Sequence, residues 1–285
     1  MLHGEPTIAP IITAEWLDER AGGATVVDVR WFMNGADARE HYRSGHLPGA
    51  LFVDLDVDLA GPPSRLEGRH PLPSPEVFAE AMSRVGIRHD DTIVAYDQGH
   101  GGFAARLVWM LRITGHEAAL LDGGLAGWAA PLQQGEIVRA PSDFEPRPWP
   151  AEWLVDIDEV DQRSKDGSGI LVDSRSPDRY RGDAEPVDAR AGHVPRAINL
   201  PFSGNLDDEG RFLSVQALGE RFRAAGIGKE DEVVVYCGSG VTACHNLLAM
   251  EAAGLQARLY PGSWSQWSGD PDRDVATGDE DPAQR

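Results

Sequence analysis

Two α/β domains in tandem, each a parallel-sheet core flanked by helices on both faces, are the fold this sequence predicts. Three observations carry that expectation. The chain has 285 residues, long for one domain and enough for two that each bury a core. Four short motifs occur twice, in the same order and at nearly constant offset. Short apolar runs alternate with amphipathic helical runs, the pattern of strands joined by crossover helices.

The repeat fixes the elements in order. Val26-Val-Asp28-Val-Arg30 returns as Leu171-Val-Asp173-Ser-Arg175, and Gly45-His-Leu-Pro-Gly-Ala50 as Gly192-His-Val-Pro-Arg-Ala197. Thr92-Ile-Val-Ala-Tyr-Asp97 returns as Glu232-Val-Val-Val-Tyr-Cys237, and Gly127-Trp128 as Gln266-Trp267. Offsets of 145, 147, 140 and 139 residues mean paired domains and not a solenoid of small units. Helical periodicity marks Pro75–Val85 and Ala104–Arg112 in the first copy, and Val215–Ala225 and Ala243–Ala253 in the second. Between the copies, Gln133–Trp153 carries prolines at 141, 146, 148 and 150 and reads as an extended, stiff connection. The expected division is a first domain over 1–135, a linker over 136–152, a second domain over 153–269 and an acidic tail over 270–285. That tail is rich in Asp, Glu, Gly and Pro and reads as disordered.

The second copy holds the residue with the most pointed chemistry. Glu232–Tyr236 has the apolar character of a buried parallel strand. Ala243–Met250 has helical spacing, and Gly254 is a plausible cap. Cys237-Gly-Ser-Gly-Val-Thr242 links them. A thiol there faces unpaired main-chain N–H groups and the positive end of a helix dipole, and both favour thiolate. Small residues in the turn let the chain curl those N–H groups inward. In open α/β sheets, ligands gather beyond the carboxyl ends of strands, where Cys237 stands. The first copy has Asp97 at that position, followed by Gln-Gly-His-Gly-Gly. A carboxylate is no sulfur nucleophile, so the first domain is expected to be non-catalytic.

Composition narrows the partners. A formal charge of −20 argues against nucleic acid and anionic lipid, so the binding of a small anion must be built locally. Only Cys237 and Cys244 are present, which excludes a disulfide scaffold and fits a reducing, cytoplasmic setting. Cys244 reads as helix packing, with a regulatory disulfide to Cys237 as the alternative. No Cys/His cluster has metal-ligand spacing, and the reading calls for no cofactor. The N-terminus lacks a basic segment followed by an apolar one, and no apolar run approaches the ~18 residues of a membrane span.

The tandem Asp-x-Arg, Gly-His-x-Pro and strand–Cys–loop–helix elements, with Gly262-Ser-Trp-Ser-Gln-Trp267, resemble the rhodanese-type sulfurtransferases from about residue 8 to 268. Cys237-Gly-Ser-Gly-Val-Thr-Ala243 is similar to the loop of 3-mercaptopyruvate sulfurtransferases. Thiosulfate sulfurtransferases place Arg-Lys where this chain has Gly238-Ser239. The resemblance implies two rhodanese-like domains and a persulfide on Cys237, loaded from a small anionic donor. Cyanide, a small thiol or a protein dithiol would unload it. The N–H groups of Gly238, Ser239, Gly240, Val241 and Thr242 would face the sulfur anion. In the comparable oxyanion hole, one missing donor costs roughly 3–4 kcal/mol. The resemblance further implies a Ser–His–Asp set falling on Ser239, His70 and Asp56, with a connecting loop that differs from close relatives. It places the donor's anionic group on Arg179, whose fork suits a carboxylate, and gives Arg175 a bracing role to Asp173. A second carboxylate-binding arginine is expected after Glu185-Pro186, but Val187 stands there, and Arg190 is the candidate to replace it. His46 and His193 are expected to be hydrogen-bonded fold elements.

Other readings stay open. Thiosulfate as the main donor is one, and a catalytically silent binding module, as Asp97 suggests for the first copy, is another. Gly238-Ser-Gly240-Val-Thr-Ala243 fits a dinucleotide fingerprint, but Arg258-Leu-Tyr-Pro261 offers no acidic partner where one is needed. A phosphatase on the same fold needs a longer loop closed by Arg, and this chain has Ala243.

Overall fold

Each repeat folds around its own parallel sheet. The computed structural model describes residues 7–20 and 23–279. In the first sheet, β1 (Ile11–Ile12), β2 (Thr25–Asp28), β3 (Leu51–Phe52), β4 (Ile93–Tyr96) and β5 (Ala118–Leu121) stand in the order β1-β5-β4-β2-β3. In the second, β6 (Ile170–Asp173), β7 (Ile198–Asn199), β8 (Val233–Tyr236) and β9 (Arg258–Leu259) stand in the order β7-β6-β8-β9. A parallel bridge from Leu154 to Leu259 takes the place of β1 in the second copy. Register repeats too, with Asp28 opposite Tyr96 and Asp173 opposite Tyr236. The central strands β4 and β8 are buried at every residue, which is why they read as unbroken apolar runs.

The helices fall where their periodicity places them. Pro75–Val85 starts on the Ser74 cap and ends at left-handed Gly86. Ala104–Ile113, Val215–Ala224 and Ala243–Ala252 differ from expectation by one residue at the C-terminal end.

The duplicated motifs recur because each copy needs the same buried polar network. In the first, Arg30 Nε donates to both oxygens of Asp28 at 3.0 Å and Nη2 to the Gly45 carbonyl at 2.8 Å. In the second, Arg175 Nε donates to Asp173 at 3.0 and 3.1 Å and Nη2 to the Gly192 carbonyl at 2.7 Å. Each pair ties a strand end to its Gly-His-x-Pro turn. His46 and His193 close those turns on the carbonyls of Tyr42 and Tyr180, at 2.9 and 2.7 Å. Tyr96 donates to Asp28 at 2.6 Å. Burial, reinforced by that carboxylate's charge, pushes the Tyr96 hydroxyl well up, so it stays a donor.

Sequence order and spatial grouping part company in two segments. The first unit comprises the described part of Met1–Gly61 with Leu72–Pro150 and Asp207–Phe212. The second comprises Pro62–Pro71, Ala151–Leu206 and the described part of Leu213–Arg285. The proline-bearing stretch expected as a linker is extended but held to the first unit. Phe144 is buried edge-on to Phe78, and the Trp149 indole donates to the Pro73 carbonyl at 2.8 Å.

The acidic tail is a correction. Residues 270–279 are tied to the second unit: Ala276 bridges His193, the Trp267 indole donates to the Asp274 carbonyl at 2.8 Å, and Arg273 pairs with Asp158, Asp161 and Asp270. Composition alone reads these residues as disordered because it does not count the partners that a folded unit offers. Residues 280–285 lie outside the described residues. No helix among the described residues is long and apolar enough to cross a membrane.

Candidate active site

The first copy shows what its loop does to an anion. Asp97, at the end of β4, is fully buried. One of its oxygens accepts the N–H groups of Gly99 and Gly101 at 3.0 and 2.9 Å, and the other those of Phe103 and Ala104 at 2.9 and 3.4 Å. The loop is an anion cradle made of main chain. The second loop is one residue shorter, with five residues between Cys237 and the helix start at Ala243 against six between Asp97 and Ala104. Its left-handed glycine is Gly240 (φ +76°) where the first has Gly101 (φ +74°), with the Cys237 thiol in place of the carboxylate.

The second loop is held by the segment after β9. The Trp264 and Ser265 N–H groups donate to the carbonyls of Cys237 and Gly238 at 3.0 and 2.9 Å. The Cys237 N–H donates to Ser263 Oγ at 3.2 Å. Gly240 has φ +76°, and a Cβ there would stand 2.5 Å from the Pro261 carbonyl oxygen, so only glycine fits. Cys237 is 1% exposed in this loop. Both cysteines are free thiols, and Cys244 donates to the Gly240 carbonyl at 3.4 Å from the buried helix face.

Pro62–Pro71 brings the histidine. Ser64 and Gly68 exchange two main-chain hydrogen bonds, at 3.0 and 2.8 Å, closing a tight turn. Gly68, at φ +90°, comes so near the Gly262 carbonyl that a Cβ would lie 2.6 Å from it. That approach sets the next two residues against the Cys237 loop. His70 Nδ1 meets Ser239 Oγ at 2.7 Å, both residues being buried. The Arg69 N–H donates to Ser265 Oγ at 3.0 Å.

Of the residues expected at the site, Cys237, Gly238, Ser239, Gly240, Val241, Thr242, His70 and Arg179 lie in the second unit. Asp56 belongs to the first, where the Trp31 indole donates to it at 2.9 Å. Arg179 pairs with Glu185 at 2.7 Å and with Asp188 at 2.8 Å. Burial alone would raise the Glu185 carboxyl, but the Asp188 N–H, the Arg179 guanidinium and the Val187 N–H together hold it below the usual carboxylate range. Arg175 braces Asp173 and stacks over Trp264, with its guanidinium carbon 4.7 Å from the ring centre.

Arg190 is a correction. It borders a cavity of about 440 Å³ together with Arg65, Ala189 and Ser265. Its guanidinium nonetheless donates to the carbonyls of Ser268, Arg273, Trp267 and Asp270 at 2.9, 2.9, 2.9 and 2.6 Å. Four carbonyl acceptors make it a brace for the C-terminal segment, with no spare fork for a donor.

Sequence reasoning passes over two residues. Arg69 pairs with Asp188, so that one carboxylate joins Arg69 to Arg179. The available signal is adjacency: Arg69 immediately precedes the expected histidine, and Asp188 immediately follows Val187.

Known proteins share this fold. The model of the rhodanese-like domain matches twice, at residues 13–131 and 156–270. A Pseudomonas aeruginosa protein named "Probable 3-mercaptopyruvate sulfurtransferase" is 43% identical over 282 residues, spanning 95% of this chain and 99% of its own. The thiosulfate sulfurtransferase of Gallus gallus is 32% identical over 275 residues, spanning 90% and 92%. The crystal structure of SseA from Escherichia coli, described as a 3-mercaptopyruvate sulfotransferase, superposes with a TM-score of 0.79 at 32% identity, covering 90% of this chain and all of that one. With two matched domains over nearly its whole length, this chain belongs to the rhodanese-like family.

Proposed function

We propose that the chain is a sulfurtransferase that carries one sulfane sulfur on Cys237, with 3-mercaptopyruvate as the favoured donor. The observation that carries this reading is the pair of homologous loops. One wraps a fixed carboxylate in four N–H groups, and the other, one residue shorter, runs from a thiol at the end of β8 through a left-handed glycine into the next helix.

In the first half-reaction the Cys237 thiolate attacks the donor's sulfur. An S–S bond forms, the donor's C–S bond breaks, and its electron pair passes to carbon as the enolate of pyruvate. That enolate takes up a proton, and the contact between Ser239 and His70 supplies a hydroxyl and a base from which to relay one. In the second half-reaction, cyanide or a thiol attacks the outer sulfur and releases the Cys237 thiolate. The persulfide anion, while it lasts, is stabilised as an oxyanion is in a ring of N–H groups.

Thiosulfate is the second reading, favoured by the name of the Gallus gallus relative. Its leaving group is sulfite, which departs without a proton, so the Ser239–His70 contact would be idle. That contact is why mercaptopyruvate comes first.

Incubation with mercaptopyruvate should add one sulfur, about 32 Da, to the intact protein, and cyanide should remove it. Cys237→Ser should gain none. A wild-type mass unchanged by mercaptopyruvate and by thiosulfate would leave a binding module as the remaining reading.

A further inference from the structure

The sulfurtransferase reading needs a place for the donor's carboxylate, and this inference rests on that reading. We propose that Arg69 is the second carboxylate-binding arginine of the site. It acts with Arg179 and fills the role that Val187 cannot.

The two guanidiniums converge on one point. A Cβ added to Gly238 would meet Arg69 Nη2 at 3.1 Å and Arg179 Nη1 at 3.4 Å. Both forks therefore stand over the residue after Cys237, where a side chain would press against them. Asp188, whose side chain is 3% exposed, accepts from Arg69 Nη1 and from Arg179 Nη2, so one carboxylate holds the two forks in a common orientation. The nitrogens it does not use, Arg69 Nη2 and Arg179 Nη1, are the two nearest to Gly238, with Arg179 Nη2 next at 3.7 Å. Arg179 Nε is buried and has no partner among the described residues. Donors aimed at one spot and pre-aligned by a buried acid are the arrangement that a planar carboxylate fits.

Charge explains why alignment matters here. Arg69 and Arg179 are balanced by Asp188 and Glu185, and the whole chain stands at −20. The site cannot draw an anion by net charge, so directed N–H groups must do it. Val187 is 40% exposed and offers nothing to an anion, and Arg190 is committed to carbonyls. Arg69 reaches the loop from Pro62–Pro71, the same segment that delivers His70. One tight turn would thus place both the proton relay and the donor clamp.

The test compares 3-mercaptopyruvate with its methyl ester, which carries the same sulfur and no carboxylate charge. For the wild type and Arg69→Met, kcat/KM is measured with each donor. Removing a charge-assisted hydrogen bond that only the acid can make should lower the acid-over-ester preference about 10- to 100-fold, most of it in KM. Adding Val187→Arg to Arg69→Met should restore most of that preference, which a purely structural role for Arg69 would not produce. If Arg69→Met does not fold, Arg69→Lys reads the same ratio, with a smaller fall expected. A preference unchanged within twofold in whichever variant folds overturns the proposal. A wild type that accepts sulfur from neither donor refutes the sulfurtransferase reading itself, and that result is separate from an unmoved ratio.

Discussion

Asp97→Asn measures what the cradle is worth. The carboxylate accepts four N–H groups, two on each oxygen, at 2.9–3.4 Å in a fully buried position. Asparagine keeps the shape and one acceptor oxygen, but turns its NH2 group toward the other pair of donors. Two hydrogen bonds to a charged acceptor disappear, each worth about 1.5–3 kcal/mol. The surviving pair weakens because the acceptor is now neutral. Relief from burying a charge offsets part of this, so the net loss should be about 3 kcal/mol. A unit of this size loses about 3 °C of Tm per kcal/mol, which puts the expected drop near 10 °C. Scanning calorimetry of the full chain reads it directly. A shift below about 2 °C would mean that the N–H groups do not hold the carboxylate. The parallel with the Cys237 loop would then lose its footing.

Two further outcomes test the second loop. Ser239→Ala and His70→Ala should each lower kcat with mercaptopyruvate by about 100-fold and lower it far less with thiosulfate, as steady-state assays with both donors would show; equal losses with the two donors would end the proton-relay argument. Ser263→Gly should leave Tm within about 3 °C, because relief of a left-handed serine offsets most of the removal of its two hydrogen bonds, to the Cys237 N–H and the Tyr260 carbonyl. It should still slow sulfur loading of Cys237 several-fold by stopped-flow mass analysis, and unchanged loading would show that Ser263 does not position the thiol.

What is legible in the sequence is what the fold needs twice. Asp28 with Arg30 and Asp173 with Arg175 tie strand ends to turns, so neither copy could drift at these positions without stranding buried charge. Helix limits follow from local periodicity and caps such as Ser74 and Gly86. The placement of Arg69 is not legible, because nothing local to Pro62–Pro71 states that Gly68 packs against the carbonyl of Gly262, nearly two hundred residues on. The role of Arg190 is misread for the same reason, since its acceptors are carbonyls that no side-chain pattern reveals. Arg196 replaces a glycine of the first copy and sits at φ +66°, where Gly49 sits at +75°. Nothing in the structure explains that exchange.

Ser263 shows where the two copies were put to different uses. Gly124 occupies the matching position in the first copy with φ +50°, and Ser263 has φ +52°. Glycine takes this conformation without strain, whereas a serine is held there at a cost of about 1–2 kcal/mol. What the serine adds is an oxygen: Oγ accepts the Cys237 N–H at 3.2 Å and donates to the Tyr260 carbonyl at 2.9 Å. In both copies a main-chain N–H holds the carbonyl of the loop's first residue, from Leu125 to Asp97 and from Trp264 to Cys237. Only the second copy adds a strained side chain to hold that residue's N–H as well. A permanent carboxylate organises its own loop. A thiol is a weaker acceptor, and if it carries sulfur as proposed, the surrounding chain must keep its loop in shape. Strain spent on a single hydrogen bond to Cys237 is what that requirement predicts, and it falls in the copy that holds the thiol.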